Sequence, residues 1–240
     1  MPGEEAARAV PNRPRRFERT TGFTMKRTKE AFVATLGQYV PLEGKRILEL
    51  GCGTGHYTRQ IAPLCRELVA VDPVSASIRS AQEFVPYPNI SFYVRAAEDL
   101  HGIPEEFDVV IFTLSLHHVP TPLMPQAIDE AVRVLSPGGY IVFLEPTEHG
   151  TFFEAELAFE ACDGDERESK RQAYDTMQKH PKLQLVAERD DQTEFQWDSL
   201  TDFNTTMHPK ADASRLDVFL RAHGYSLTAK RRINIYRIRS

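Results

Sequence analysis

The chain has 240 residues, 41% apolar, 26% charged and 10% aromatic, with a formal net charge of −5. These values exclude the disordered, collagenous and fibrous classes, and the length accommodates one core with room for an insertion. The longest mostly apolar stretch, residues 109–116, is far short of the roughly 20 residues of a membrane helix, and the first residues lack an apolar signal core, so a cytoplasmic location without a membrane span is expected. Cys52, Cys65 and Cys162 are odd in number and widely spaced, which fits neither a disulfide framework nor paired metal-ligand motifs. Residues 1–30 carry eight Lys or Arg against four Glu, and residues 226–240 carry five basic groups and no acid. Basic ends on an acidic body give no concentrated basic face, so nucleic acid is disfavoured as a partner.

In chain order, residues 1–24 hold Pro2, Pro11 and Pro14 among charges and read as a flexible arm. Met25, Ala31, Phe32, Ala34, Leu36 and Tyr39 fit a leader helix over 25–39, which Pro41 and Gly44 end. Residues 46–50 (RILEL) form a branched apolar run that breaks into glycines and is followed by a helix over 56–65, the pattern of strand, tight turn and helix. The alternation repeats: strand 68–71, helix 76–84 with Ser75 as N-cap candidate, strand 90–94, strand 107–114, helix 125–135, a Ser136-Pro137-Gly138-Gly139 turn and strand 140–144. Strands alternating with helices imply a doubly wound, mainly parallel α/β sheet whose ligands bind at the carboxyl ends of the strands. Residues 149–211 break the rhythm with an amphipathic stretch, an acidic loop, a polar helix over 166–179 and an alternating segment over 183–197, and read as a lid or substrate insertion. A helix over 213–222 closed by Gly224, and a β-rich end, then complete the core. The expected units are the arm 1–24, a core 25–148, the insertion 149–211 and the closing segment 212–240.

The segment Glu49-Leu50-Gly51-Cys52-Gly53-Thr54-Gly55 follows a strand and precedes a helix. Glycines there let the backbone turn sharply and approach a ligand, and the helix beyond presents unpaired N–H groups. The spacing is not the dinucleotide fingerprint, because His56 stands where its third glycine belongs, and a P-loop would need Gly-Lys-Ser/Thr. Twenty-one residues beyond Gly51 the second strand ends in Asp72, whose carboxylate can accept both hydroxyls of a ribose or cap the next helix. A ribose acceptor and a glycine turn without a pyrophosphate cradle point to an adenosine ligand such as S-adenosylmethionine. Cys52 is read as a small residue packed under the turn.

With these motifs in view, the chain resembles the class I, Rossmann-like S-adenosylmethionine-dependent methyltransferases over residues 25–148 and again from 213 onward. The match rests on the motif from Glu49 to Gly55, on Asp72, on Ala97-Glu98-Asp99-Leu100, on Phe107-Asp108-Val109-Val110 and on Leu135-Ser136-Pro137-Gly138-Gly139. The resemblance implies a seven-stranded sheet with an antiparallel C-terminal strand. It also implies a cofactor site of Glu49, Gly51, Cys52, Gly53, Gly55, Asp72, Pro73, Ala97, Glu98 and Leu114, releasing S-adenosylhomocysteine as product. Glu49 and the backbone of residues 51–55 would hold the methionyl end, Asp72 the ribose and Ala97-Glu98 the adenine. Relatives often place Asp where Ala96 stands, so the adenine contact falls to Glu98 or Asp99.

No catalytic residue is dictated by this cofactor, because the sulfonium already carries an activated methyl and the enzyme mainly aligns an acceptor and excludes water. Leu114-Ser115-Leu116-His117-His118-Val119 follows the fourth strand at the ligand-facing rim, where either histidine has the chemistry of a base near neutral pH or lines the cofactor pocket. His117 and Glu145 are the catalytic candidates. No third ligand stands near the histidine pair, so no metal site is expected. Candidates for acceptor contact are His118, His149, Phe153, Tyr174, Trp197 and His208, with Phe152, His180, Phe203 and Asn204 also in the insertion and Phe17, Phe23 and Met25 in the leader. The chain lacks the Asp/Asn-Pro-Pro-Tyr/Phe of amino-methylating DNA enzymes, the Pro-Cys of cytosine C5 enzymes and the paired glutamates of arginine methyltransferases. A small-molecule acceptor at oxygen, nitrogen or carbon is therefore expected. The alternatives are an RNA or protein methyltransferase using basic residues 13–19 and 230–239, and a non-catalytic S-adenosylmethionine-binding regulator.

Overall fold

The computed structural model describes residues 25–210 and 213–239. The expected arm, with Phe17, Phe23 and the basic residues 13–19, lies outside the described residues. The elements are β1 (Met25–Thr28), α1 (Phe32–Leu36), β2 (Arg46–Leu50), α2 (His56–Ile61), β3 (Glu67–Asp72), α3 (Ser75–Phe84), β4 (Ile90–Val94), β5 (Phe107–Thr113), α4 (Met124–Val134), β6 (Leu135–Pro146), α5 (Thr151–Phe159), α6 (Arg167–Lys179), β7 (Leu183–Trp197), α7 (Leu200–Met207), α8 (Ala213–Ala222) and β8 (Ser226–Ile238). One eight-stranded sheet runs in the order β1-β7-β8-β6-β5-β2-β3-β4. The block β6-β5-β2-β3-β4 is parallel, and β8, β7 and β1 are added antiparallel.

The parallel strands are buried on both faces, which is why their sequences read as continuous apolar runs. Leu48, Leu50, Val69, Val71, Val110 and Phe112 face one core with α4 and α6, while Ile47, Leu68, Ala70, Val109 and Ile111 face a second core with α1, α2 and α3. Helix α4 contributes Met124, Ala127, Ile128, Ala131 and Val134, the spacing of a single apolar stripe. A third core gathers α5, α7 and α8 around Phe195, Trp197 and Leu227 of β7 and β8. Among the described residues no helix is long and apolar enough to cross a membrane.

Four expectations are corrected. Residues 25–39 are a short edge strand and a five-residue helix, because their apolar side chains serve different cores: Met25 packs with the third, and Phe32 and Leu36 with the second. The sheet consequently has eight strands rather than seven, the extra one being β1 on the edge of β7. Residues 183–197, expected within an insertion, form β7 and pair along most of β8, so only the segment carrying α5 and α6 and that carrying α7 project beyond the sheet's strands. Ser75 is the first residue of α3 rather than its cap; Val74 occupies that place, and its N–H donates to Asp72 Oδ1 at 2.9 Å.

Candidate functional site

The parallel strands β2, β3, β5 and β6 end at one rim, where Asp72 and Thr113 line one cavity and Pro146 another. The glycine loop is shaped by contacts on both sides. Gly51 has φ +74°, and a Cβ there would stand 2.2 Å from Ser115 Cβ; Ser115 donates its hydroxyl to the Leu50 carbonyl at 2.7 Å. Gly55, at φ +89°, leaves room for Val85 of the α3 end, which a Cβ would approach to 2.6 Å. Gly53 differs: it has φ +53° and nothing within 4 Å of its missing Cβ, because it faces the cavity. Its N–H donates to Asp72 Oδ2 at 2.9 Å, so Asp72 holds both the loop and the entry to α3 while still facing the cavity.

That cavity, about 550 Å³, is lined by Gly51, Cys52, Gly53, Asp72, Pro73, Ala97, Glu98 and Leu114, and also by Arg27, Thr54, His56, Tyr57 and His118. Eight of the ten expected cofactor residues thus come together. Gly55 acts from behind by packing on α3. Glu49 is corrected: it is fully buried beneath the loop and does not line the cavity. Its oxygens accept the hydroxyls of Thr58 (2.6 Å) and Thr113 (3.0 Å), and burial raises its carboxyl to about 7 against those hydrogen bonds. Of the two adenine candidates Glu98 faces the cavity, whereas Asp99 accepts the His101 N–H within its own loop. Burial pushes the Cys52 thiol well up, so it is no nucleophile.

A second cavity of about 300 Å³ adjoins the first, sharing Arg27, Leu114 and His118 as its wall. Leu114 adopts φ +54° at the end of β5, a costly conformation for a leucine, and its N–H is held by the Leu144 carbonyl at 2.8 Å. Met25, Phe152, Phe153, Phe195 and Met207 give the cavity an apolar body, and His117, Glu156, Glu166 and Lys170 form its polar end. His117 is buried, with Nδ1 hydrogen-bonded to Glu145 Oε2. Glu145 Oε1 accepts the N–H groups of Leu116 (2.9 Å) and Ser115 (3.2 Å), so a single buried carboxylate fixes the whole turn. Burial opposes charge on His117, but Glu145 and Glu166 outweigh it and raise its pKa; at His118 burial and the neighbouring ring lower it.

The substrate candidates divide. His118, His149 and Phe153 line the second cavity. Tyr174 lines a separate one with Glu145 and Arg232, its hydroxyl donating to Glu188 at 3.0 Å. Trp197 belongs to the third core, its indole N–H bound to Thr206 Oγ1 at 2.8 Å, and Phe203 packs beside it. His208 is the exposed left-handed cap of α7 and lines neither of the two cavities, and His180 is buried against Asp129 instead. Residues not anticipated are Arg27, Tyr57, Glu156, Glu166 and Lys170. Lys170 carried a legible signal, since it falls with Ala173 and Met177 on the buried stripe of α6. It reaches Glu156 at 3.2 Å and Glu166 at 3.5 Å.

A family model for the methyltransferase domain matches residues 47–139. Phthiotriol/phenolphthiotriol dimycocerosates methyltransferase 1 of Mycobacterium ulcerans (strain Agy99) is 35% identical over 126 residues, covering 50% of this chain and 45% of that protein. Demethylmenaquinone methyltransferase of Clavibacter sepedonicus is 33% identical over 114 residues, covering 47% and 46%. The chain thus spans about half the length of these curated relatives. The N-methyltransferase NodS from Bradyrhizobium japonicum WM9, solved with S-adenosylhomocysteine, superimposes with a TM-score of 0.50 at 19% identity over 85% of this chain and 82% of that one, a likeness of fold. The glycine loop and the strand-end acid lie within the matched residues 47–139, and over that segment the chain is similar to methyltransferase domains.

Proposed function

We propose that the chain transfers a methyl group from S-adenosylmethionine to the oxygen, nitrogen or carbon of a small acceptor with a largely apolar body. The observation that carries this reading is the pairing of two cavities across the wall of Arg27, Leu114 and His118, one cradled by Gly53 and Asp72, the other lined by aromatic and methionine side chains. The residues fit the cofactor: Gly53 leaves open space, the Asp72 carboxylate keeps acceptor capacity beside its two backbone N–H partners, and Ala97 and Glu98 border the far end. When bound, S-adenosylmethionine supplies an electrophilic methyl on its sulfonium. The chain's own residues then orient the acceptor and keep water out.

In the metal-free site His117 takes the proton of a hydroxyl or ammonium acceptor at Nε2, and Glu145, on Nδ1, orients the ring and stabilises its charged form. The acceptor cavity's volume of about 300 Å³ and mainly apolar surface support a small molecule over RNA or protein, and the curated relatives' names, which mention phthiotriol/phenolphthiotriol dimycocerosates and demethylmenaquinone, agree. The test is release of S-adenosylhomocysteine from a panel of apolar alcohols, amines and quinols. His117→Ala is expected to lower turnover by ~10²–10⁴-fold while cofactor affinity stays within about twofold. Unaltered turnover contradicts the base role, and cofactor binding without product across the panel points to the regulator instead.

A further inference from the structure

We infer that His117, His118 and Glu166 form a site for a divalent transition-metal ion at the wall between the two cavities. The sequence supplied two adjacent histidines and no third ligand; the fold brings Glu166, the residue preceding α6, against both rings. His118 Nδ1 stands 3.3 Å from Glu166 Oε1, His117 Nε2 stands 3.8 Å from Glu166 Oε2, and the three donor atoms lie within 4.8 Å of one another. Donors bonded to one ion at about 2.0–2.2 Å are themselves roughly 3–4 Å apart, so the set needs only a small contraction to close.

Three further observations favour a cation there. His117 Nδ1 is bonded to the Glu145 carboxylate, which leaves the lone pair of the neutral ring on Nε2, facing Glu166. Metal-bound histidines are characteristically held by such a second carboxylate. Charge points the same way: Glu145, Glu156, Asp163 and Glu166 stand around the pair of rings, and the ammonium of Lys170 is shared between Glu156 and Glu166. Finally, His117, His118 and Glu166 all line the acceptor cavity, so an ion held by three protein donors keeps open positions where an acceptor's heteroatom would sit. Two imidazoles and one carboxylate suit zinc, iron(II), cobalt or manganese better than magnesium or calcium.

With the ion in place, His117 is a ligand rather than a base, and Glu145 a positioning residue. The acceptor's heteroatom is then activated by coordination, which favours loss of its proton to solvent before its lone pair forms the new bond to the methyl carbon and the sulfur–carbon bond breaks. The inference concerns the cluster itself and holds whatever the acceptor is.

The test is titration of chelator-treated full-length protein with Co²⁺, read by its visible absorption, with Zn²⁺ as competitor. One equivalent is expected to bind with low-micromolar affinity or better and to be displaced by Zn²⁺. Glu166→Gln and His118→Ala are expected to weaken binding at least ~100-fold, while His208→Ala binds as the parent does. An unchanged Co²⁺ spectrum in Glu166→Gln, or no one-to-one binding below about 100 μM, overturns the site. S-adenosylmethionine affinity of the same metal-free samples, read by calorimetry, reports separately on the cofactor reading.

Discussion

Glu49 sits where water does not reach, under the turn that the glycines make. Its folded pKa, raised to about 7 by burial, exceeds the ordinary carboxylate value, so the native state holds a proton that the unfolded chain releases. Its effect is therefore neutral below about pH 4 and becomes a growing cost as pH rises toward 7. Replacing it by Gln, whose oxygen accepts one of the two threonine hydroxyls while its NH2 donates to the other, removes that cost. Denaturant unfolding of Glu49→Gln is expected to gain on the parent by about 3 kcal/mol between pH 4.5 and pH 8. A difference between the two proteins that is flat with pH contradicts the assignment. The sequence placed this acid in the cofactor motif but gave no sign of which way it points, because β2 is buried on both faces and either side of the strand looks alike in sequence. Asp72, in contrast, was legible as an acid at a strand end that faces the cavity, although its hold on the Gly53 and Val74 N–H groups was not.

At the scale of elements, the same three glycines that read alike in sequence do different work. Gly51 and Gly55 let chain segments touch, whereas Gly53 leaves a ligand its space. Gly51→Ala is expected to cost ~3 kcal/mol or more, because its methyl would meet the Cβ of Ser115. Gly53→Ala is expected to cost only the ~1 kcal/mol of a left-handed alanine and to show its main effect in cofactor affinity. Denaturant midpoints of the two variants check this, and equal losses would show that both glycines answer to the same constraint. Helices with a single apolar stripe, such as α4 and α8, were readable to within a residue or two. The leader was not, because a segment dividing its side chains between two cores has no single period to detect. The polar end of the acceptor cavity was hidden for a related reason: Glu156, Glu166 and Lys170 look like solvated helix charges until α5 and α6 are brought together over the histidine turn.

Across the whole molecule, the parallel half of the sheet carries the cavity proposed for the cofactor and the antiparallel half helps to line the cavity proposed for the acceptor beside it. The two halves are joined by a buried charge cluster in which Arg231 of β8 meets Asp191 of β7, Glu30 beyond β1 and Tyr57 of α2, whose ring lines the cofactor cavity. The parallel half was visible in the alternation of strands and helices. The antiparallel half was not, since β7 is separated from its neighbour β8 by two helices in sequence and its alternation suits an insertion as well as a sheet strand. The proposed methyl transfer requires that the strand-end cradle bind S-adenosylmethionine through Asp72. Calorimetric titration of the parent protein and of Asp72→Ala with S-adenosylmethionine, and with NADH as comparison, tests that claim most directly. Micromolar binding of S-adenosylmethionine by the parent, at least ~30-fold weaker binding by Asp72→Ala, and no binding of NADH are expected. Equal affinity of the two proteins for S-adenosylmethionine, or preference for NADH, would contradict it.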